Sequence, residues 1–277
     1  MRARIKHWVA VLFLAVLVGG WESRAGLAER PGTAEPPAGM VYVAAGVYTP
    51  FFQDESASVH VLVEAFYLDR YPVTNARYLA FVQAQPEWRR SRVPHLFADV
   101  TYLQHWQGDL PPVEATAAWF QSPVTNVSWF AARAYCAWQH RRLPSVAEWE
   151  YAALASESAA DGLQDAAYRA RLLEWYSRPA PAMPLPIGSG GQNYLGVYDM
   201  HGVVWEWVAD FQATLMAGAS HSAGHVDHDL SCGAGAVGVT AQQRINYPAF
   251  MRYAYRSSLR ATYTVPNLGF RCVQEAP

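Results

Sequence analysis

The chain has 277 residues, with 52% hydrophobic and 16% charged content, so it carries ample material for a core and no signature of wholesale disorder. Its formal net charge of −2, with no basic run or aromatic-basic platform, excludes a nucleic-acid surface. The 11 Trp and 16 Tyr point to aromatic packing whose polar tips need partners.

In chain order, Arg2, Arg4 and Lys6 precede the apolar stretch "WVAVLFLAVLVGG", shorter than the ~20 residues that span a bilayer. The small residues of "AGLA" end at Ala28. Residues 1–28 therefore read as a signal peptide, residues 29–38 as a Pro/Gly linker, and 39–277 as one domain. A periplasmic or secreted location is expected, with no membrane span after cleavage.

"MVYVAAGVYTPFF" predicts a strand, a turn at Gly46 and a second strand, and "HVLVEAFYLDRYPVT" another strand pair. Asn75 is placed to cap a short helix that buries Leu79 and Val82 and stops at Pro86. Ser128 starts a helix with Trp129, Ala132 and Cys136 on one face, and Ser145 with Glu148 forms an S-x-x-E capping box. The Ala- and Pro-rich run after "LASES" reads as surface connection, and 212–246 as loop. No repeat and no second core is evident.

Five stretches in register carry a resemblance: "GMVYVAAGVY", "FYLDRYPVTNARYLAFV", "SPVTNVSWFAARAYCAWQHRRLPSVAEWEYAA", "NYLGVYDMHGVVWEWVAD" and "RSSLRATYTVPNLGFRC". Together they resemble the formylglycine-generating enzyme (sulfatase-modifying factor) superfamily. The resemblance implies a loop-rich α+β fold, related to the C-type-lectin fold, with few regular elements. It fixes the reaction less well, because the superfamily holds copper-dependent oxidases, iron-dependent sulfoxide synthases, maturation proteins and ligand-binding variants.

The oxidases are expected to use two cysteines five apart, since paired thiolates suit soft Cu(I). The equivalent positions lie near Asn246 and Arg252, and Ala234 replaces a family Ser. Formylglycine generation by that route is therefore not expected. The resemblance also implies a Cys136–Cys272 disulfide, which leaves Cys232 as an odd thiol.

Asp199, the carbonyls of Gly202 and Val204, and Glu206 match a family calcium loop, with Val203 where Asn is usual. Ca²⁺ takes six to eight oxygens; the alternative is a hydrogen-bonded turn without an ion. Trp205 and Trp207 read as core in either case. His221, His225, His228 and Cys232 have ligand types and spacing suited to copper or zinc, against the alternative of a solvated insertion. Arg252, Tyr253, Tyr255 and Arg256, with Arg260, are expected either to line a cleft for an anionic or peptide ligand or to satisfy a loop-rich core. His60, His95, His105 and His140 show no paired spacing, and no phosphate loop, Ser/His/Asp order or HExxH is present.

The ending "SCGAGA…AFMRYAYRSSLRATYT…NLGFRC" resembles the nitrite-reductase accessory (NirV-like) branch. The expected role is an accessory or maturation factor for an exported copper metalloenzyme such as nitrite reductase. Two alternatives stand beside it: a PvdO-like, copper- or iron-dependent oxidase of a peptide or small molecule, and a non-catalytic binding module.

Overall fold

The computed structural model describes residues 35–50, 60–179, 181–212 and 247–277. A compact unit runs from Glu35 to Pro277. Its fold is α+β with short elements and long connections.

Strands β1 (Met40–Val43), β2 (Gly46–Tyr48), β3 (Val61–Val63) and β4 (Phe66–Asp69) lie where alternation of apolar residues places them. Their partners differ from simple sequential hairpins. β2 pairs with β3 and β1 with β4, so one antiparallel pair is nested within the other. β4 then takes β7 (Val273–Glu275) on its free edge, making a three-stranded antiparallel sheet of order β1-β4-β7. All four residues of β4 are buried, as befits its central position.

Helix α1 (Asn75–Ala84) is capped by Thr74, whose hydroxyl accepts from the Arg77 amide, and not by Asn75. Asn75 lies one residue inside the helix. It is buried, and its side-chain amide donates to the carbonyls of Trp119 and Ser122. Tyr78, Phe81 and Val82 form the buried face, while Leu79 is only partly covered. A single 3₁₀ turn (Pro86–Trp88) and the short α2 (Ala117–Gln121, capped by Thr116) follow.

Helix α3 (Trp129–Trp138) starts at its expected cap, Ser128, and buries Ala131, Ala132, Tyr135 and Cys136. Helix α4 (Val146–Ala153) has the full capping box, with Ser145 and Glu148 satisfying each other's backbone amides. Arg142 closes on the Glu148 carboxylate at 2.6 and 2.7 Å.

Two helices depart from expectation. The Ala-rich stretch after residue 154 contains α5 (Ala166–Ser177), capped by the Asp165 carboxylate on the amides of Ala167 and Tyr168. The Arg/Tyr-rich run forms α6 (Tyr247–Ser257). Strand β5 (Trp205–Trp207) pairs in parallel with β6 (Leu268–Phe270). Gly269 is required in β6, because a Cβ there would stand 2.7 Å from the Val124 carbonyl oxygen.

The core is aromatic. Tyr78, Phe81, Tyr135 and Phe270 meet ring to ring at 5.3–6.2 Å. The buried Tyr78 hydroxyl is satisfied by that of Tyr102 at 2.6 Å. Trp207 is fully buried, with its indole N–H on the Val127 carbonyl, whereas Trp205 is half-buried.

Candidate functional site

Helix α4 turns Glu150 toward the interior on the same face as Val146, Trp149 and Ala153. A carboxylate buried there is costly unless paired. Helix α6 supplies the pairing through Arg252 and Arg256, one turn apart. Arg252 donates from Nε to Oε1 at 2.9 Å and from Nη2 to Oε2 at 2.6 Å. Arg256 donates from Nη1 to Oε1 at 2.5 Å.

The remaining Nη1 of Arg252 reaches the Tyr176 hydroxyl at 3.1 Å, which ties α5 to the same cluster. The Trp149 ring lies 4.8 Å from the Arg256 guanidinium and 5.5 Å from that of Arg252. Burial alone would raise the Glu150 carboxyl, but the two arginines outweigh it and hold it at about 2.

The four candidate cleft residues therefore divide. Arg252 and Arg256 are 4% and 3% exposed and face Glu150, not an open cleft. Tyr253 is also buried, its hydroxyl 2.9 Å from that of Tyr48. Tyr255 is half-buried against Trp205, ring centroids 4.3 Å apart, and its hydroxyl donates to Asn267 Oδ1 at 3.3 Å.

The turn leading to β5 is held by a second charged cluster. Asp199, in the left-handed region at φ 58°, accepts from the amides of Gly188 (2.5 Å) and Gly190 (2.7 Å), one on each oxygen. Gly190 permits this approach, since a Cβ would meet the His201 carbonyl at 2.5 Å. Burial raises the Asp199 carboxyl against the pull of those amides.

Glu206 is bracketed by Arg271 and by Trp149, whose indole N–H donates to Oε2 at 2.7 Å. Arg271, fully buried, also donates to the carbonyls of Asp69, Tyr198 and Asp199. The expected calcium set of Asp199, Gly202, Val204 and Glu206 lies in this turn. Each of its four carboxylate oxygens already accepts an N–H, and a guanidinium supplies the positive charge beside Glu206. Four acceptor oxygens engaged in this way make a hydrogen-bonded turn.

Cys136 of α3 and Cys272, between β6 and β7, form a disulfide with Cα atoms 5.6 Å apart. His221, His225, His228 and Cys232 lie outside the described residues, as do Ala234 and Asn246. Among the described residues, no group of three or more His, Cys, Asp or Glu side chains is arranged to hold a metal.

Sequence reasoning missed Glu150, Trp149 and Arg271 as the anchors of these clusters. Glu150 had a readable signal, an acid at helical spacing from Val146, Trp149 and Ala153 that demands a partner. Arg271 gave none, because its acceptors come from three distant segments.

Comparison with known proteins places this architecture. The chain is 31% identical to the formylglycine-generating enzyme of Streptomyces coelicolor, over 80% of this chain and 82% of that one. It is 28% identical to the inactive C-alpha-formylglycine-generating enzyme 2 of Mus musculus, over 91% and 88% of the two chains. The formylglycine-generating enzyme of Bos taurus is 27% identical over 88% and 76%. Among solved structures, PvdO from Pseudomonas aeruginosa superposes with a TM-score of 0.49 at 22% identity, covering 85% of this chain and 94% of that one. The profile of the sulfatase-modifying factor enzyme 1-like domain matches residues 26–276, and the chain belongs to that family.

Proposed function

We propose that this protein is a member of its family without the copper-oxidase chemistry, exported and acting as an accessory or maturation factor for an exported metalloenzyme. A copper nitrite reductase is the first partner to test. One observation carries the reading: the Cys136–Cys272 bond takes two of the three cysteines in the sequence. A single thiol remains, where gripping Cu(I) through two thiolates needs a pair. Arg252, near the position where the resemblance expects the second thiolate, faces Glu150. Similarity to a relative named as inactive is consistent with this reading. The accessory role itself rests on the resemblance of the C-terminal stretch.

The test has two arms. The purified protein, given Cu(I), oxygen and a sulfatase-derived cysteinyl peptide, is expected to leave the peptide mass unchanged. Appearance of the aldehyde product overturns the non-oxidase reading. In cells, deleting the chain is expected to lower the copper content of an exported nitrite reductase, with restoration by the wild-type gene. Full copper loading without it sinks the accessory role. Elemental analysis of the exported protein, with Cys232→Ser in parallel, reports whether the His221–Cys232 stretch carries copper or zinc.

A further inference from the structure

A cavity of about 420 Å³ opens beside the short helix α2 and shares no residue with the Glu150 cluster. Trp119, Met183, Pro184 and Pro266 give it apolar walls, and His105 and Glu114 also line it. The prolines stiffen the walls by fixing their own φ. Helix α2 is held in turn. Asn75 donates to the Trp119 carbonyl, and the Trp119 ring packs 5.7 Å from that of Trp106 and 6.2 Å from that of His105. The cavity is thus built by the fold, and its volume is that of a small-ligand site.

Its charge is one-sided. The exposed Glu114 is the only Asp, Glu, Lys or Arg among the lining residues. His105 adds no positive charge. Asn75 is oriented by its Nδ2, which donates to the carbonyls of Trp119 and Ser122, and by its Oδ1, which accepts from the Trp106 indole. His105 Nε2, 3.3 Å from that Oδ1, therefore carries the ring proton. Nδ1 is left as a lone-pair acceptor, without a partner among the described residues. Burial lowers the ring to about 4, so it is neutral at neutral pH. Arg90, whose charge acts on His105, donates to the carbonyls of Gln104 and Trp106 and does not line the cavity.

A carboxylate or phosphate placed here would meet Glu114 and no lining cation, whereas an ammonium group would meet its counter-ion. Benzene fills a cavity of about 150 Å³, so 420 Å³ suits an apolar body of roughly 12–17 non-hydrogen atoms. We propose that this cavity binds a small organic amine, with its apolar body between Trp119 and the prolines and its ammonium group toward Glu114. Such a ligand is opposite in charge to the anionic class expected of the Arg/Tyr run. The site stands apart from any role in metalloenzyme maturation.

Tryptamine, tryptophol and indole-3-acetate share an indole body and differ in head group: ammonium, hydroxyl and carboxylate. Their binding to the full-length protein is measured by isothermal titration calorimetry at neutral pH and low salt. Tryptamine is expected to fill one saturable site, about three- to five-fold tighter than tryptophol, the margin of an exposed ion pair. Indole-3-acetate is expected to be the weakest. Absence of saturable tryptamine binding overturns the proposal, and so does equal affinity for tryptophol or indole-3-acetate.

Glu114→Gln alters an exposed side chain and leaves the walls in place. It is expected to bring tryptamine down to the affinity of tryptophol, with tryptophol itself unchanged. A preference for tryptamine that survives in E114Q overturns the assignment. Crystals soaked in a brominated tryptamine fix the location. An anomalous peak beside Trp119 is the expected result, and a bare cavity with the bromine elsewhere refutes the site.

Discussion

Glu150 carries opposing demands. Desolvation disfavours its charge, while Arg252 and Arg256 hold it ionised at about 2. Glu150→Ala would strand two buried guanidinium groups and is expected to destabilise by about 3–5 kcal/mol in urea denaturation. A loss below 1 kcal/mol would show that the cluster is not a structural centre. The folded carboxyl titrates below the ordinary glutamate value of 4.5, so its stabilisation is complete above that pH and is lost as pH falls toward 2.

His105 and His201 act over a higher window. Burial lowers them from 6.5 to about 4 and about 3, so the unfolded chain takes up protons that the folded one refuses. Stability is therefore full above pH 6.5 and falls as the medium is acidified, by up to about 1.4 kcal/mol per pH unit for each ring. His201, with the Trp149, Tyr168, Trp175 and Tyr176 rings at 6.0–6.4 Å, is the clearer test. His201→Gln should flatten the stability profile between pH 6.5 and 4.5, and an unchanged slope would assign the effect elsewhere.

At the scale of elements, what local chemistry dictates was legible. Ser128 and Ser145 cap the helices they were expected to cap, because a hydroxyl one residue before an apolar stripe has few other uses. Strand positions followed alternation, but strand partners did not, since nesting β2–β3 inside β1–β4 depends on tertiary closure. Helix α5 was hidden because only Tyr168 and Leu172 are buried on it, too narrow an apolar stripe to stand out in an Ala-rich run. Helix α6 was hidden differently: its arginines face inward, where a pattern reading expects apolar residues.

The turn at 188–206 belongs to this scale too. Its residue types matched a calcium loop, yet the arrangement depends on Arg271, which no local pattern announces. Adding calcium, or a chelator, is expected to leave the thermal midpoint unchanged. A clear upward shift with calcium would mean that the ion displaces those donors.

The whole molecule was the most legible level. Five separated stretches carried the family resemblance and the loop-rich fold, and they contain core positions such as Trp207, Phe270 and Cys272. The site was less readable, since its polar groups meet from α4, α5 and α6 across long separations. The disulfide spans 136 residues, and constraining a loop that long contributes on the order of 4–5 kcal/mol in the chain-entropy model.

That one bond also has a topological effect. Glu150, Asp199, Glu206, Arg252, Arg256 and Arg271 all lie between its two ends, and the chain from 136 to 272 is a closed ring with a head and a tail. A protease site engineered anywhere in the ring could be cut without letting either piece diffuse away. The severed protein should run as one band on a non-reducing gel and as two once thiol is added. Two bands without reductant would mean that the ring was never shut.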